Sequence, residues 1–239
     1  MLATTHLLTV LGLGGLTAAF PMDTPVFVDA VNPNIVVRQV SCAPIHLIIA
    51  RASTEPPGPG MIGSLAEKII AANPGATNES INYPATLDDY QDSSAQGTAA
   101  MTKQLTDYAT ACPCAQIVLM GYSQGAHVVG DTLCGGGGVL GNAFTPPIDR
   151  AIGDRVFAAI QMGDPRFVAN KSFDAGNSTS DGLFPRPANL TCDSYASRIK
   201  SYCDEGDTYC ASGNDTYIHI TYLDRYTTNA LDFVNDKLA

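Results

Sequence analysis

The chain has 239 residues, of which 45% are hydrophobic and only 15% are charged. This composition suits one compact domain with a full core and excludes an intrinsically disordered chain. The formal net charge of −10 and the lack of a basic stripe exclude a nucleic-acid binder, because binding to phosphates requires clustered Lys and Arg.

The start of the chain has the pattern of an export signal. Residues 7–16 form an apolar run interrupted only by Thr and Gly, and the small residues that follow suit cleavage. We predict a signal peptide over 1–19, although its start lacks Lys and Arg, and a flexible leader or pro-segment over 20–40. The mature domain, 41–239, is expected to be secreted and free of the membrane, because it contains no further long apolar run.

Short apolar runs alternate with stretches of helical spacing through the predicted mature domain. We predict strands at 45–50, 80–83, 117–120, 156–162 and 199–202, and helices at 62–72, 93–111, 124–133 and 222–238. Residues 166–194 are rich in Pro, Asn and Ser and are predicted to be mainly loop. The alternation predicts an α/β fold whose parallel sheet carries helices on both faces and chemistry at the carboxyl ends of its strands.

One motif indicates a nucleophilic serine. Gly121-Tyr122-Ser123-Gln124-Gly125 matches G-x-S-x-G, with an apolar strand directly before it and a helix directly after it. In this setting the serine lies on a sharp turn above the sheet edge, where the helix N-terminus favours developing negative charge. The alternative is a serine that merely caps the helix, and the strand–turn–helix context favours the nucleophile.

A serine hydroxyl needs a base, and the chain contains four histidines. His6 lies in the predicted signal peptide, and His46 lies within the first buried strand. His127 lies one helical turn after the serine and is expected to point along the flank of its helix. His219 follows late in the chain, as the order Ser–acid–His requires, and is therefore the predicted general base.

The acid is left open by the sequence. One candidate lies at the carboxyl end of a strand and three lie nearer the predicted base: Asp164, Asp204, Asp207 and Asp215. A carboxylate that orients an imidazole must be held rigidly, which favours the segment between the cysteines at 203 and 210. Spacing within that segment does not distinguish Asp204 from Asp207.

Cysteine and asparagine patterns agree with export. The seven cysteines match no zinc-site spacing, so we predict disulfides with one cysteine left over and no bound metal. Five N-x-S/T sequons are candidate glycosylation sites, at Asn78, Asn170, Asn177, Asn189 and Asn214.

Together these residues resemble the fungal cutinase and acetylxylan esterase family. The resemblance runs from about residue 42 to the C-terminus and rests on five pieces: 50–55, 121–125, 163–165, 200–210 and His219. It implies a small lidless α/β hydrolase, a three-layer α/β/α sandwich around a central five-stranded parallel sheet. A cutinase-like hydrolase domain is therefore expected over 41–239.

The resemblance also implies roles for individual residues. It implies a catalytic triad of Ser123, Asp207 and His219, and it makes Asp164 structural. The implied oxyanion hole consists of Ser53 and the backbone N–H of Gln124. The implied disulfides are Cys42–Cys112, Cys134–Cys192 and Cys203–Cys210, which leaves Cys114 without a partner.

The two branches of the family differ in the ester they cleave. Residues 211–217, just before the predicted base, are mostly polar and offer a long acyl chain little apolar area. Residues 51–55, however, resemble the cutinase version of the oxyanion loop. We expect a monomeric esterase, without cofactor, that acts on acetylated xylan. Cutin with its longer acyl esters is the alternative substrate, and a non-catalytic binder of plant polymers is the alternative of another class.

Overall fold

The structure is a computed structural model that describes residues 41–138 and 143–239. The predicted signal peptide and leader lie outside the described residues. None of the helices in the described ranges is long and apolar enough to cross a membrane.

In residues 41–138 and 143–239, six parallel strands form a single sheet. They are β1 (Ile45–Ala50), β2 (Thr77–Ser80), β3 (Gln116–Tyr122), β4 (Val156–Met162), β5 (Asp174–Ala175) and β6 (Ile199–Tyr202). Their order across the sheet is β2-β1-β3-β4-β6-β5. The predicted parallel sheet is confirmed, but it has six strands where five are expected. The extra strand, β5, is a two-residue edge strand within the predicted loop, too short to produce a periodic pattern.

Strand β2 lies three residues earlier than the predicted 80–83. Its residues are polar and pair with His46–Ile49 of β1, at the edge of the sheet. The apolar residues Ile81 and Tyr83, which suggested the later position, lie beyond the strand and are buried in the core. An edge strand tolerates polar residues because one of its sides is unpaired, so hydrophobicity misplaces it.

Helices cover both faces of the sheet, which confirms the α/β/α sandwich. They are α1 (Gly63–Ala72), α2 (Tyr90–Ala111), α3 (Gln124–Cys134), α4 (Arg150–Gly153), α5 (Thr216–His219) and α6 (Tyr222–Leu238). Helices α2 and α3 pack on one face of the sheet, and α1 and α6 pack on the other. Successive residues of β1, such as Leu47 and Ile48, belong to opposite core clusters, as expected of a strand buried on both faces.

The described part of the domain contains three disulfides, two that link distant parts of the chain and one that closes a short loop. They are Cys42–Cys112, Cys134–Cys192 and Cys203–Cys210, the pairings that the resemblance implies. Cys114 carries a free thiol and is exposed. The asparagines of all five sequons are exposed as well, and their glycosylation stays a prediction.

Candidate active site

Ser123 lies at the turn between β3 and α3 in a strained backbone conformation, with φ 53° and ψ −117°. Residues other than glycine rarely adopt a positive φ. A Cβ atom on Gly121 would lie 2.2 Å from the carbonyl oxygen of Gly125, and one on Gly125 would lie 2.1 Å from that of Ala50. The sharp turn therefore requires glycine on both sides of the serine.

His219 and Asp207 form a buried pair on the segment that follows β6. Nδ1 of His219 lies 2.9 Å from Oδ2 of Asp207. Because a carboxylate only accepts hydrogen bonds, we assign the proton of the neutral ring to Nδ1, which leaves the lone pair on Nε2. Nε2 has no hydrogen-bond partner in the described part of the chain, and His219 lines the same pocket as Ser123.

Asp207 is held rigidly by neutral donors. Its oxygens accept hydrogen bonds from the backbone N–H of Tyr209 at 2.6 Å and of Cys210 at 3.0 Å. The hydroxyl of Tyr222 donates a third bond at 2.8 Å. Burial by itself raises the pKa of this carboxyl, but His219 and the backbone donors outweigh it and hold the pKa below its usual range. The carboxylate is therefore ionised at neutral pH.

The other three candidate aspartates are engaged elsewhere. Asp164 accepts from the backbone N–H of Arg166 at 2.8 Å. Asp204 accepts from the hydroxyl of Tyr226 at 2.8 Å, and Asp215 caps α5. Of the four candidates left open by the sequence, the one at position 207 bonds to the predicted base.

The other two described histidines do not line the pocket of Ser123, and both have hydrogen-bond partners of their own. His127 bonds to the hydroxyl of Tyr90 through Nδ1 and to Asp131 through Nε2. His46 is 5% exposed and bonds to Thr77 through Nδ1. Within residues 41–138 and 143–239, no group of three or more His, Cys, Asp or Glu side chains is placed to hold a metal ion.

Three tyrosines surround His219, and the sequence analysis assigns a role to none of them. The hydroxyl of Tyr122 donates to the backbone carbonyl of His219 at 2.5 Å. The ring centroid of Tyr209 lies 4.4 Å from that of the imidazole, and the ring of Tyr222 meets the imidazole edge-on at 6.4 Å. These contacts come from three separate segments of the chain, so sequence spacing contains no signal for them.

Ser53 and Gln124 meet beside the nucleophile candidate. The hydroxyl of Ser53 donates to Oε1 of Gln124 at 3.1 Å, and Ser53 and Ser123 line the same pocket. Gln124 is the first residue of α3, where backbone N–H groups have no acceptor within the helix. A hydroxyl and a helix N-terminus therefore lie next to the serine, an arrangement suited to stabilising an oxyanion.

The loop after β1, which carries the serine at position 53, is braced by its own two charged residues, whose bonding partners the sequence does not reveal. Nη2 of Arg51 donates to the carbonyl of Tyr83 at 2.6 Å, and the guanidinium also lies over the Tyr83 ring. The carboxylate of Glu55 accepts from the N–H groups of Ala52 and Met61, both at 2.7 Å. These bonds hold the loop in place before any substrate binds.

The pocket around these residues has a volume of about 500 Å³. Three apolar side chains at its edge are well exposed: Leu87 at 54%, Leu183 at 44% and Ile220 at 56%. The expectation of little apolar area, which rests on 211–217 alone, is incomplete because these residues come from other segments. The pocket thus combines polar side chains around Ser123 and His219 with an apolar edge.

Comparisons with known proteins agree with this geometry. The sequence profile of the cutinase family matches residues 41–238. The chain is 37% identical to acetylxylan esterase 2 of Talaromyces purpureogenus over 96% of both proteins. It is 38% identical to cutinase 11 of Verticillium dahliae, over 84% of this chain and 71% of that protein. The catalytic core domain of acetyl xylan esterase from Trichoderma reesei is similar with a TM-score of 0.78 and 39% identity, over 82% of this chain and 100% of that one. The chain therefore belongs to the cutinase family.

Proposed function

We propose that this chain is a secreted serine carboxylester hydrolase that acts on plant cell-wall esters through an acyl-enzyme. The observation that carries the proposal is the pocket shared by Ser123, on its strained turn, and His219, whose Nδ1 is bonded to Asp207. The family supports it, because the named relatives are acetylxylan esterases and cutinases. The three disulfides support secretion, since disulfides persist in oxidising compartments.

The proposed reaction begins when Nε2 of His219 takes the hydroxyl proton of Ser123 as the oxygen attacks the ester carbonyl. The backbone N–H of Gln124 stabilises the resulting oxyanion together with Ser53, whose hydroxyl turns from Oε1 of Gln124 to donate to it. The imidazolium, stabilised by the ionised Asp207, then protonates the leaving alcohol, and an acyl-serine remains. Water attacks this acyl group with the same imidazole as base, which releases the carboxylic acid and restores the serine.

We favour short acyl groups on acetylated xylan as the substrate. The polar stretch 211–217 and the relatives named acetylxylan esterase support this choice. The apolar edge of Leu87, Leu183 and Ile220 supports the second candidate, hydrolysis of cutin and longer acyl esters, at about 25 cal/mol per Å² of apolar surface covered. The strained serine argues against a non-catalytic binder, because backbone strain is retained where function uses it.

The test is a Ser123→Ala variant followed by a substrate series. We expect turnover of p-nitrophenyl acetate to fall by about 10,000- to 1,000,000-fold, with an unchanged circular dichroism spectrum. Comparable activity in the variant and the wild type would end the hydrolase proposal. Rates of the wild type on acetylated xylan, cutin and p-nitrophenyl esters of rising length then choose between the substrates: a steep fall beyond butyrate supports acetyl esters, and flat or rising rates support the cutinase alternative.

A further inference from the structure

A second buried aspartate, Asp131, lies on the same helix about two turns after Ser123. It is 4% exposed, and its carboxylate is surrounded by donors. Nη1 of Arg166 lies 3.0 Å from both carboxylate oxygens, and Nη2 of Arg186 lies 2.9 Å from Oδ1. Nε2 of His127 lies 3.1 Å from Oδ2. No step of the proposed reaction uses this cluster.

The two arginines connect this carboxylate to one wall of the catalytic pocket. The backbone N–H of Arg186 donates to the carbonyl of Arg166 at 3.2 Å, and that of Phe184 donates to the carbonyl of Pro165 at 2.8 Å. The two segments thus form a paired ribbon, and Pro165 and Phe184 line the pocket. Asp131 therefore fastens this ribbon to helix α3.

A second part of the pocket wall is connected to the same carboxylate. Tyr90, the first residue of α2, lines the pocket, and its ring centroid lies 5.7 Å from that of Phe184. Its hydroxyl lies 3.0 Å from Nδ1 of His127. Because Nε2–H of His127 must donate to the carboxylate of Asp131, Nδ1 accepts the hydroxyl proton. The hydroxyl of Tyr90 is therefore held, through one imidazole, by Asp131.

Burial makes this arrangement resistant to rearrangement. Burial alone would raise the pKa of Asp131, but His127, Arg186 and Arg166 outweigh it and hold the pKa well below its usual range. Arg166 is itself 1% exposed. A shift of the ribbon that separated these charges would leave them buried without partners, which is strongly unfavourable. The ribbon and the Tyr90 hydroxyl therefore have one preferred position.

We propose that Asp131 is a positioning residue that holds Tyr90 and the ribbon of Pro165 and Phe184 at a fixed separation, and thereby determines which acyl groups fit the catalytic pocket. The inference rests on the proposed esterase function, since acyl selection presupposes ester cleavage. Wall position matters because one methylene more or less in an apolar pocket changes kcat/KM by about 10- to 200-fold.

The experiment compares three variants on p-nitrophenyl acetate, butyrate and octanoate, with rates normalised to the burst of acylated sites. Asp131→Asn removes the charge of the cluster, and Tyr90→Phe removes only the hydroxyl bond and keeps the ring. Asp154→Asn is the matched control, because Asp154 also pairs with two arginines, Arg150 at 3.0 Å and Arg198 at 3.3 Å, but does not line the pocket.

We expect the acetate-to-octanoate ratio of kcat/KM to change by about tenfold in Asp131→Asn and about threefold in Tyr90→Phe, mainly through KM. The ratio in Asp154→Asn should equal that of the wild type.

If Asp131→Asn does not fold, the Tyr90→Phe variant alone decides the test. A wild-type ratio in Tyr90→Phe and in folded Asp131→Asn overturns the inference, as does an equal change in the control. A wild type that cleaves none of the esters overturns the proposed function and this inference together, whereas an active wild type with unchanged variant ratios overturns this inference only.

Discussion

The described part of the domain contains two buried aspartate–histidine pairs, and they differ in whether the second ring nitrogen of the histidine is bonded. Asp207 bonds to His219 at 2.9 Å, and Asp131 bonds to His127 at 3.1 Å. In both pairs the pKa of the aspartate lies below its usual range. The pairs are similar in distance, burial and ionisation, so none of these properties distinguishes a reacting pair from a structural one.

The second ring nitrogen distinguishes them. In His127 both nitrogens are engaged, one by the aspartate and the other by the hydroxyl of Tyr90. In His219, Nε2 has no hydrogen-bond partner in the described ranges, and the ring lies in the pocket of Ser123. An imidazole can accept a serine proton only through a nitrogen that is not already bonded, so His219 alone of the two is suited to act as a base.

The partners of each carboxylate differ as well. Asp207 is held by neutral N–H and hydroxyl groups, so its negative charge remains available to stabilise an imidazolium. Asp131 is bonded to two guanidinium groups, Arg166 and Arg186, which already neutralise its charge. The first arrangement favours a histidine that gains a proton during a reaction, and the second favours fixed geometry.

The largest expected effect comes from replacing each histidine by glutamine. His219→Gln removes the proposed base, and we expect kcat/KM for p-nitrophenyl acetate to fall by about 10,000-fold with the fold intact. His127→Gln removes only a link in the pocket wall and should cost less than about tenfold. Steady-state rates together with circular dichroism check both. Equal losses in the two variants would show that the free nitrogen is not what separates the pairs.

Each pair also has a disulfide beside it. Removal of the disulfide that costs more stability should cost less activity. Cys203–Cys210 encloses Asp207 and has a sequence separation of 7, whereas Cys134–Cys192, at the end of α3, has a separation of 58. When both cysteines of a disulfide are replaced by serine, loop-closure entropy predicts a loss in the free energy of unfolding. The loss is about 2 kcal/mol for the short loop and about 4 kcal/mol for the long one.

Activity should show the reverse order. Loss of Cys203–Cys210 frees the segment that holds the carboxylate, and we expect kcat to fall by about tenfold. Loss of Cys134–Cys192 should lower kcat by less than about threefold at a temperature where the variant is folded. Urea unfolding and active-site-normalised rates measure the two effects. Greater loss of activity in the Cys134–Cys192 variant would contradict the assignment.

The smallest effect concerns a half-buried aspartate without a histidine partner. Burial raises the pKa of Asp174 to about 6, from 3.8, although the N–H and charge of Lys171 oppose the shift. Between about pH 4 and about pH 6 the folded state keeps a proton on this carboxyl that the unfolded state has lost. The free energy of unfolding therefore falls as pH rises through this range.

Asp174→Asn cannot ionise and should remove this fall. After discounting for partial exposure, we expect the variant to gain about 1 kcal/mol at pH 7.5, or about 2–4 °C in the thermal midpoint, and to gain little at pH 4. Thermal unfolding at both pH values measures the difference. An equal change in thermal midpoint at both pH values would show that an altered contact, and not the loss of the charge, causes the difference in stability.

Much of the fold follows from local patterns. The strand before Ser123 and the helix after it occur where apolar runs and helical spacing predict them, because β3 and α3 are buried and regular. Strand β2 is misplaced and β5 is missed, because both lie at edges, where pairing with a neighbour matters more than hydrophobicity.

The amino-acid sequence by itself determined the α/β class, the serine turn and the single late histidine, since each depends on neighbours within a few residues or on chain order. Spacing left Asp204 and Asp207 open, and the family resemblance implied Asp207. Only the tertiary structure shows that Asp207 meets His219, and that apolar side chains surround the pocket. It alone also shows that Asp131 connects two pocket walls. These features join residues that are distant in the chain, and their contacts depend on how loops fold back on the sheet, which no local periodicity encodes.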